Sequence, residues 1–218
     1  MEFIRGGELF QHLKKIRRFP ESQAKFYLTQ IILAFEYLHD KDVIYRDLKP
    51  ENILIDSNGY VKITDFGLAK YVGQTPAMTF VGTPEYLSPE ILCCEGHGKP
   101  ADWWSLGVLL FEMVIGIPPF YHQNQSIMFQ LIKDGEVKFP SSIKVSEELK
   151  DFVRKLMNKD PKKRLGSNRD AEEVKNHDWL NGFEWDKLVK KEVNIVLYTI
   201  IYKILFKKNS WNHPLSRF

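Results

Sequence analysis

Residues 45–52 read Tyr45-Arg46-Asp47-Leu48-Lys49-Pro50-Glu51-Asn52, and residues 65–67 read Asp65-Phe66-Gly67. Between them lie two short apolar runs, Ile53-Leu54-Ile55 and Val61-Lys62-Ile63, separated by Asp56-Ser57-Asn58-Gly59. A turn cluster between two such runs predicts a β-hairpin. A hairpin returns the chain to its start, so Asn52 and Asp65 are expected as neighbours. Two adjacent oxygen donors suit Mg²⁺, which takes one or two protein ligands and completes its shell with water and substrate phosphates. Asp47 lies nearby as a candidate base, and Lys49 adds a cation. Together these are parts for phosphoryl transfer: metal ligands, a carboxylate to orient a hydroxyl, and a neutralising charge. A lone Asp-Phe-Gly or Arg-Asp is a weak signal, common in turns.

Outward from this stretch the pattern is mostly helical. Glu8 to Lys15 forms a short helical pattern after Gly6-Gly7. A longer one starts at Pro20-Glu21, places Ala24, Tyr27, Ile31, Phe35 and Leu38 on one face, and ends near Lys41. From Asp65 to Pro89 there is little periodicity, which predicts a long loop without regular structure, usually functional or disordered. A helix is expected to begin at Asp102, read as its N-cap. The run Trp103 to Val114 leaves almost no polar face, the mark of a buried helix. Trp103 and Trp104 read as core and rim packing. Pro118-Pro119 stops that helix, and three more patterns follow near 124–134, 146–158 and 170–177. No repeat of 20–50 residues is present.

Composition excludes several classes. The 218 residues are 44% hydrophobic and 27% charged, near the globular average. A net charge of +3 is too small to imply nucleic-acid binding. The two cysteines, Cys93 and Cys94, are adjacent, so no disulfide framework or CxxC metal site is available and a reducing compartment is expected. No secretory signal is expected at the N-terminus. The apolar stretch Ile195 to Phe206 is shorter than a spanning helix and carries Lys203, so it reads as a buried or aggregation-prone segment and no membrane span is expected.

The conjunction RDLKPEN, hairpin, DFG, GTPEYLSPE (82–90) and DWWSLG (102–107), in that order, is highly specific. The chain resembles the C-terminal, large lobe of a eukaryotic Ser/Thr protein kinase. Within that family it is similar to the AGC group of cAMP- and cGMP-dependent kinases, on Tyr45, Gly82-Thr83-Pro84-Glu85-Tyr86 and Asp102-Trp103-Trp104. The resemblance implies a mainly α fold with a small β-hairpin and covers roughly residues 1–192. The expected division is a kinase domain over 1–180, a remnant of the AGC C-terminal extension over 181–193, and a divergent tail over 194–218.

The resemblance also implies roles. Asp47 would accept or orient the substrate hydroxyl proton, Lys49 would contact the transferred phosphate, and Asn52 and Asp65 would hold Mg²⁺. Thr83 would hydrogen-bond Asp47 and Lys49. ATP would lie against the hinge at Met1 to Ile4, with backbone of Glu2 and Ile4 bonding adenine, Leu54 beneath the ring, and Glu8, Glu51 and Thr64 in the same pocket. Thr79 matches an activation-loop phosphosite with Arg46 and Lys70 as its cations, which implies an upstream activating kinase. A solvated loop threonine is the plain alternative. Glu8, Glu51, Glu85 and Glu112 match carboxylates that bind basic residues of protein or peptide substrates; ordinary solvated helix residues are the alternative for Glu8 and Glu112. Glu90 and Arg164 match a buried ion pair. Asp102 would also bond the catalytic-loop backbone.

Three departures qualify the resemblance. The sequence as given starts at the hinge, with no Gly-rich loop, strand lysine or αC glutamate before it, so the small lobe is expected to be missing. That leaves a second reading, a non-catalytic peptide-binding module or inactive kinase fragment. Met78 and Phe129 replace a tryptophan and a tyrosine of cAMP-dependent kinases, which weighs against a regulatory-subunit partner. The expected location is the cytoplasm, with the nucleus as a second compartment.

Overall fold

A computed structural model describes Ile4 and residues 6–73 and 75–193. The described residues fall into two units, one up to Phe183 and one from Glu184 onward. The expectations for Glu2, for the stretch 195–206 and for the tail 194–218 fall outside the described residues.

The first unit is mainly helical. Its helices are α1 (Leu9–Ile16), α2 (Glu21–His39), α3 (Pro89–Leu92), α4 (Lys99–Ile115), α5 (Gln125–Asp134), α6 (Glu147–Leu156) and α7 (Asp170–Lys175). Two small antiparallel sheets accompany them. β2 (Ile53–Ile55) pairs with β3 (Val61–Ile63) in the expected hairpin, Ile53 opposite Ile63. β1 (Val43–Ile44) pairs with β4 (Lys70–Tyr71), Ile44 opposite Lys70. The second unit contributes α8 (Trp185–Val189).

The α4 helix organises the core. Every residue in it except Lys99, Pro100 and Glu112 is buried, as its unbroken apolar sequence requires. It packs against α2 and α6. At Gly107 a Cβ would stand 2.7 Å from Met157 Cγ, so only glycine lets the α6 end come this close. Both tryptophans of α4 are fully buried, so Trp104 is core rather than rim. The Lys159 ammonium and the Arg164 guanidinium lie 4.9 Å and 5.2 Å from its ring centroid.

Two expectations are corrected. Asp102 is not the N-cap of α4: the helix starts three residues earlier at Lys99 with Gly98 as cap. Asp102 sits inside the first turn, and its carboxylate is spent on the backbone of Tyr45 and Arg46, described below. Residues 65–89 are not structureless. β4 ties the segment to β1, Val72 N–H donates to Asp42 O (2.8 Å), and Ala77 and His97 exchange both backbone hydrogen bonds (2.8 and 2.9 Å). A 3₁₀ turn at Pro84–Tyr86 and α3 complete it. Proline at the first position of each sets the backbone angle a helical turn needs.

Candidate active site

The hairpin does what its sequence predicts. Thr64 N–H donates to Asn52 O at 2.9 Å and Thr64 Oγ1 adds a second bond at 3.1 Å, which fixes Asp65 beside Asn52. Asp65 has a left-handed backbone (φ 57°), and its Oδ1 accepts from Gly67 N–H at 3.1 Å. Phe66, between them, packs edge-on against Tyr45.

Asp47 is the hub. Lys49 Nζ donates to its Oδ2 at 2.9 Å, Asn52 Nδ2 to the same oxygen at 2.8 Å, and Thr83 Oγ1 to Oδ1 at 3.0 Å. Both carboxylate oxygens are therefore held, from Lys49 and Asn52 on one side and from Thr83 of the 65–89 segment on the other. Asp47 and Asn52 are buried, and Asp65 is exposed.

The loop that carries Asp47 is itself anchored by Asp102. Its Oδ2 accepts from Tyr45 N–H (2.8 Å) and its Oδ1 from Arg46 N–H (2.9 Å). Arg46 is held at φ 69°, a costly conformation for a side-chain-bearing residue, which those two bonds stabilise. His39, at the end of α2, bonds Asp102 Oδ2 through Nε2 (2.9 Å) and Asp170 Oδ1 through Nδ1 (2.8 Å). Burial opposes a charge on this ring. The hydrogen bonds and negative charges of Asp102 and Asp170 outweigh it and raise the pKa to about 9. His39 and Asp170 carry no signal in the sequence: each is one polar residue among many, and only the fold joins them.

The donor set beside Asp47 suits magnesium. Asn52 commits both N–H bonds to Asp47, to its backbone oxygen (2.9 Å) and to Oδ2, so the amide carbonyl oxygen is what remains for a third partner. That oxygen and the Asp65 carboxylate are hard ligands. Among the described residues no three His, Cys, Asp or Glu side chains gather as a metal group. A pair of oxygen ligands matches a cation whose shell is completed by water and phosphate oxygens.

The residues matched to the nucleotide by resemblance lie along β2 and the chain that runs against it. Ile55 N–H donates to Gly7 O at 2.8 Å, and Glu8 forms an isolated bridge with Leu54. A Cβ at Gly6 would collide with Ile55 O at 2.1 Å, so the chain at Gly6 runs directly against the strand. Ile4 and Leu54 are half-buried.

The 65–89 segment brings Thr79 to Arg46, whose Nη1 donates to Thr79 Oγ1 at 2.7 Å while its Nε donates to Leu68 O. Lys70 stands in β4, opposite Ile44. Three of the four carboxylates matched to basic substrates gather. Burial first, and then the charges of Glu51 and Glu85, push Glu112 up to about 7, although the hydrogen bond from the Tyr86 hydroxyl works the other way. Glu8 bridges Leu54, and α1, which follows it, packs against the 3₁₀ turn at Pro50–Asn52 that carries Glu51. Tyr86 is the member of this group that a reading of carboxylates alone misses. Glu90 and Arg164 form the expected ion pair.

The chain is similar to known proteins over most of its length. The protein kinase domain family matches residues 1–180. Protein kinase 2 of Dictyostelium discoideum is 50% identical over 196 residues, 89% of this chain and 40% of its own length. The cAMP-dependent protein kinase type 3 of Saccharomyces cerevisiae is 47% identical over 194 residues, 88% of this chain and 48% of its own. The cAMP-dependent protein kinase catalytic subunit PRKX of Mus musculus is 45% identical over 195 residues, 88% and 54%. The chain thus spans about half or less of the length of these relatives. With Asp47, Asn52 and Asp65 gathered at the hairpin and the family matched over most of its length, this chain belongs to the protein kinase domain family.

Proposed function

We propose that this chain supplies the catalytic loop and substrate-docking surface for transfer of the ATP γ-phosphoryl group to Ser or Thr hydroxyls of proteins, near basic residues. The observation that carries the reading is the triple hold on Asp47. A base must be fixed within hydrogen-bond reach of the proton it takes. Thr83 and Lys49 fix Asp47 in that way, and Lys49 also brings a cation to the transferred phosphate. Mg²⁺, held by Asn52 and Asp65, would neutralise charge on the phosphates. Asp47 takes the hydroxyl proton as the substrate oxygen bonds to the γ-phosphorus and the bond to the β-phosphate oxygen breaks, releasing ADP. The acidic group of Glu51, Glu85 and Glu112 supports the preference for basic sites, since arginine pairs bidentately with carboxylates. The exposed free cysteines, Cys93 and Cys94, support a reducing, cytoplasmic or nuclear location.

The test is radiolabelled phosphate transfer from Mg-ATP to an arginine-containing serine peptide, by this chain joined behind the small lobe of one of its relatives. Asp47→Asn is expected to lower kcat by about 100- to 10,000-fold. Transfer that survives this substitution sinks the reading.

A second reading, a peptide-binding module without catalysis, is favoured by one feature: of Glu51, Glu85 and Glu112, only Glu51 is shared with the residues matched to the nucleotide. Calorimetry with the same peptide separates the two. Affinity that is indifferent to Mg-ATP, with no transfer by the joined protein, favours the module.

A further inference from the structure

The end of α1 and the residues just after it carry Lys14, Lys15, Arg17 and Arg18, four cations in five positions, all exposed. No acidic residue lies between Glu8 and Glu21. Lysines in the last turn of a helix answer its negative end, which accounts for Lys14 and Lys15. That effect fades beyond the last turn, and Arg18 lies past the cap at Arg17. Among the described residues Lys14, Arg17 and Arg18 take part in no ion pair.

Apolar surface adjoins this charge. A Cβ at Gly116 would stand 2.6 Å from Arg17 O, and Phe19 N–H donates to Met113 O at 2.7 Å. The chain from Arg17 to Phe19 therefore runs along the end of α4. Ile117, next after Gly116, is 57% exposed. Tyr121, whose N–H closes a turn onto Pro118 O at 3.3 Å, is 54% exposed. Glu112 lies one turn earlier in α4, but it is half-buried and its carboxylate accepts from the Tyr86 hydroxyl.

Cations beside an exposed isoleucine and tyrosine match the surface of an anionic bilayer. Headgroup charges meet the lysines and arginines, and the two other side chains enter the headgroup layer. An acidic peptide would answer the charge and leave Ile117 and Tyr121 in water. Among the described residues no helix is long and apolar enough to cross a membrane, so the contact made by this face is with the bilayer surface.

We propose that the face formed by Lys14, Lys15, Arg17, Arg18, Ile117 and Tyr121 docks on membranes rich in anionic phospholipid. The proposal does not depend on catalysis by this chain.

The test is co-sedimentation of the 218-residue chain with phosphatidylcholine vesicles, with and without phosphatidylserine. Phosphatidylserine is expected to raise binding at least about tenfold. Binding is expected to weaken as salt rises from about 0.05 to 0.5 M, because screening shortens the reach of exposed charge. Each cation near the surface is expected to contribute about fivefold, so the combined variant Lys14→Gln, Lys15→Gln, Arg18→Gln should lose about 100-fold. Ile117→Ser is expected to lower binding at least about threefold. All four substituted side chains are exposed, and an unchanged urea midpoint checks that the variants fold. The variants share every other segment with the parent chain, so the loss reports this face alone. Equal binding to the two kinds of vesicle, undiminished binding by the combined variant, or capture by polyglutamate without binding to phosphatidylserine vesicles overturns the proposal.

Discussion

The Arg164 guanidinium forks onto the Glu90 carboxylate, Nη1 to Oε1 at 2.7 Å and Nη2 to Oε2 at 2.8 Å, with both side chains buried. Arg164 adds Pro100 O and Asn158 O as acceptors, so the guanidinium is satisfied on three sides. The pair joins α3, at the end of the 65–89 segment, to the start of α4 and the turn before α7. Removing one partner strands the other charge in the core. Arg164→Met is expected to lower stability by about 3–5 kcal/mol in urea unfolding. The double variant Glu90→Leu, Arg164→Met should regain much of that loss, because burying no charge is cheaper than burying one. A single-variant loss under about 1 kcal/mol would mean that water reaches the pair.

His39 makes stability depend on pH in the alkaline direction. Its folded pKa, about 9, lies above the ordinary value of 6.5. The stabilisation is therefore fully present below pH 6.5 and lost as pH rises through about 9. The size is on the order of 3 kcal/mol. Unfolding free energies measured from pH 6 to pH 10 should fall across that window, and His39→Gln should flatten the fall. An equal slope in both proteins would show that His39 is neutral throughout.

Glu112 should make binding of basic peptides pH-dependent in the opposite sense. Its pKa of about 7 leaves it largely protonated at pH 6 and ionised at pH 8. An arginine-containing peptide should bind more tightly as pH rises from 6 to 8, by about tenfold if one charge-assisted hydrogen bond is gained. Fluorescence anisotropy checks this. Glu112→Gln should give weak binding with little pH dependence; a steep profile in that variant would assign the titration elsewhere.

Thr79 phosphorylation should tighten the activation segment through Arg46. The hydroxyl already sits 2.7 Å from Arg46 Nη1, and a phosphate there adds nearly two negative charges. Limited proteolysis between residues 75 and 81 should slow several-fold on phosphorylation. The protection should vanish in Arg46→Gln. Protection that persists without Arg46 would point to another cation.

Much of the site was legible because its signals are local. Asp56-Ser57-Asn58-Gly59 between two apolar runs specifies a hairpin by turn chemistry alone, and the hairpin brings Asn52 to Asp65 whatever the rest of the chain does. The apolar run from Trp103 to Val114 can only be a buried helix. Asp102 was legible in part: the family resemblance gave its bonds to the backbone of Tyr45 and Arg46, while the N-cap reading fails because the helix starts three residues earlier, at Lys99. The segment 65–89 was misread, since its order comes from strands and bridges to Val43, Ile44 and His97 rather than from its own periodicity.

The sequence by itself determined the local elements, the hairpin and the family motifs, because turn residues and hydrophobic period act over a few positions. Only the tertiary structure decided the charge states and the anchors. His39 meets Asp102 across 63 residues and Asp170 across 131, and Glu112 meets Tyr86 across 26. Burial and neighbouring charge fix those protonation states, and both are properties of the folded neighbourhood rather than of any stretch of chain.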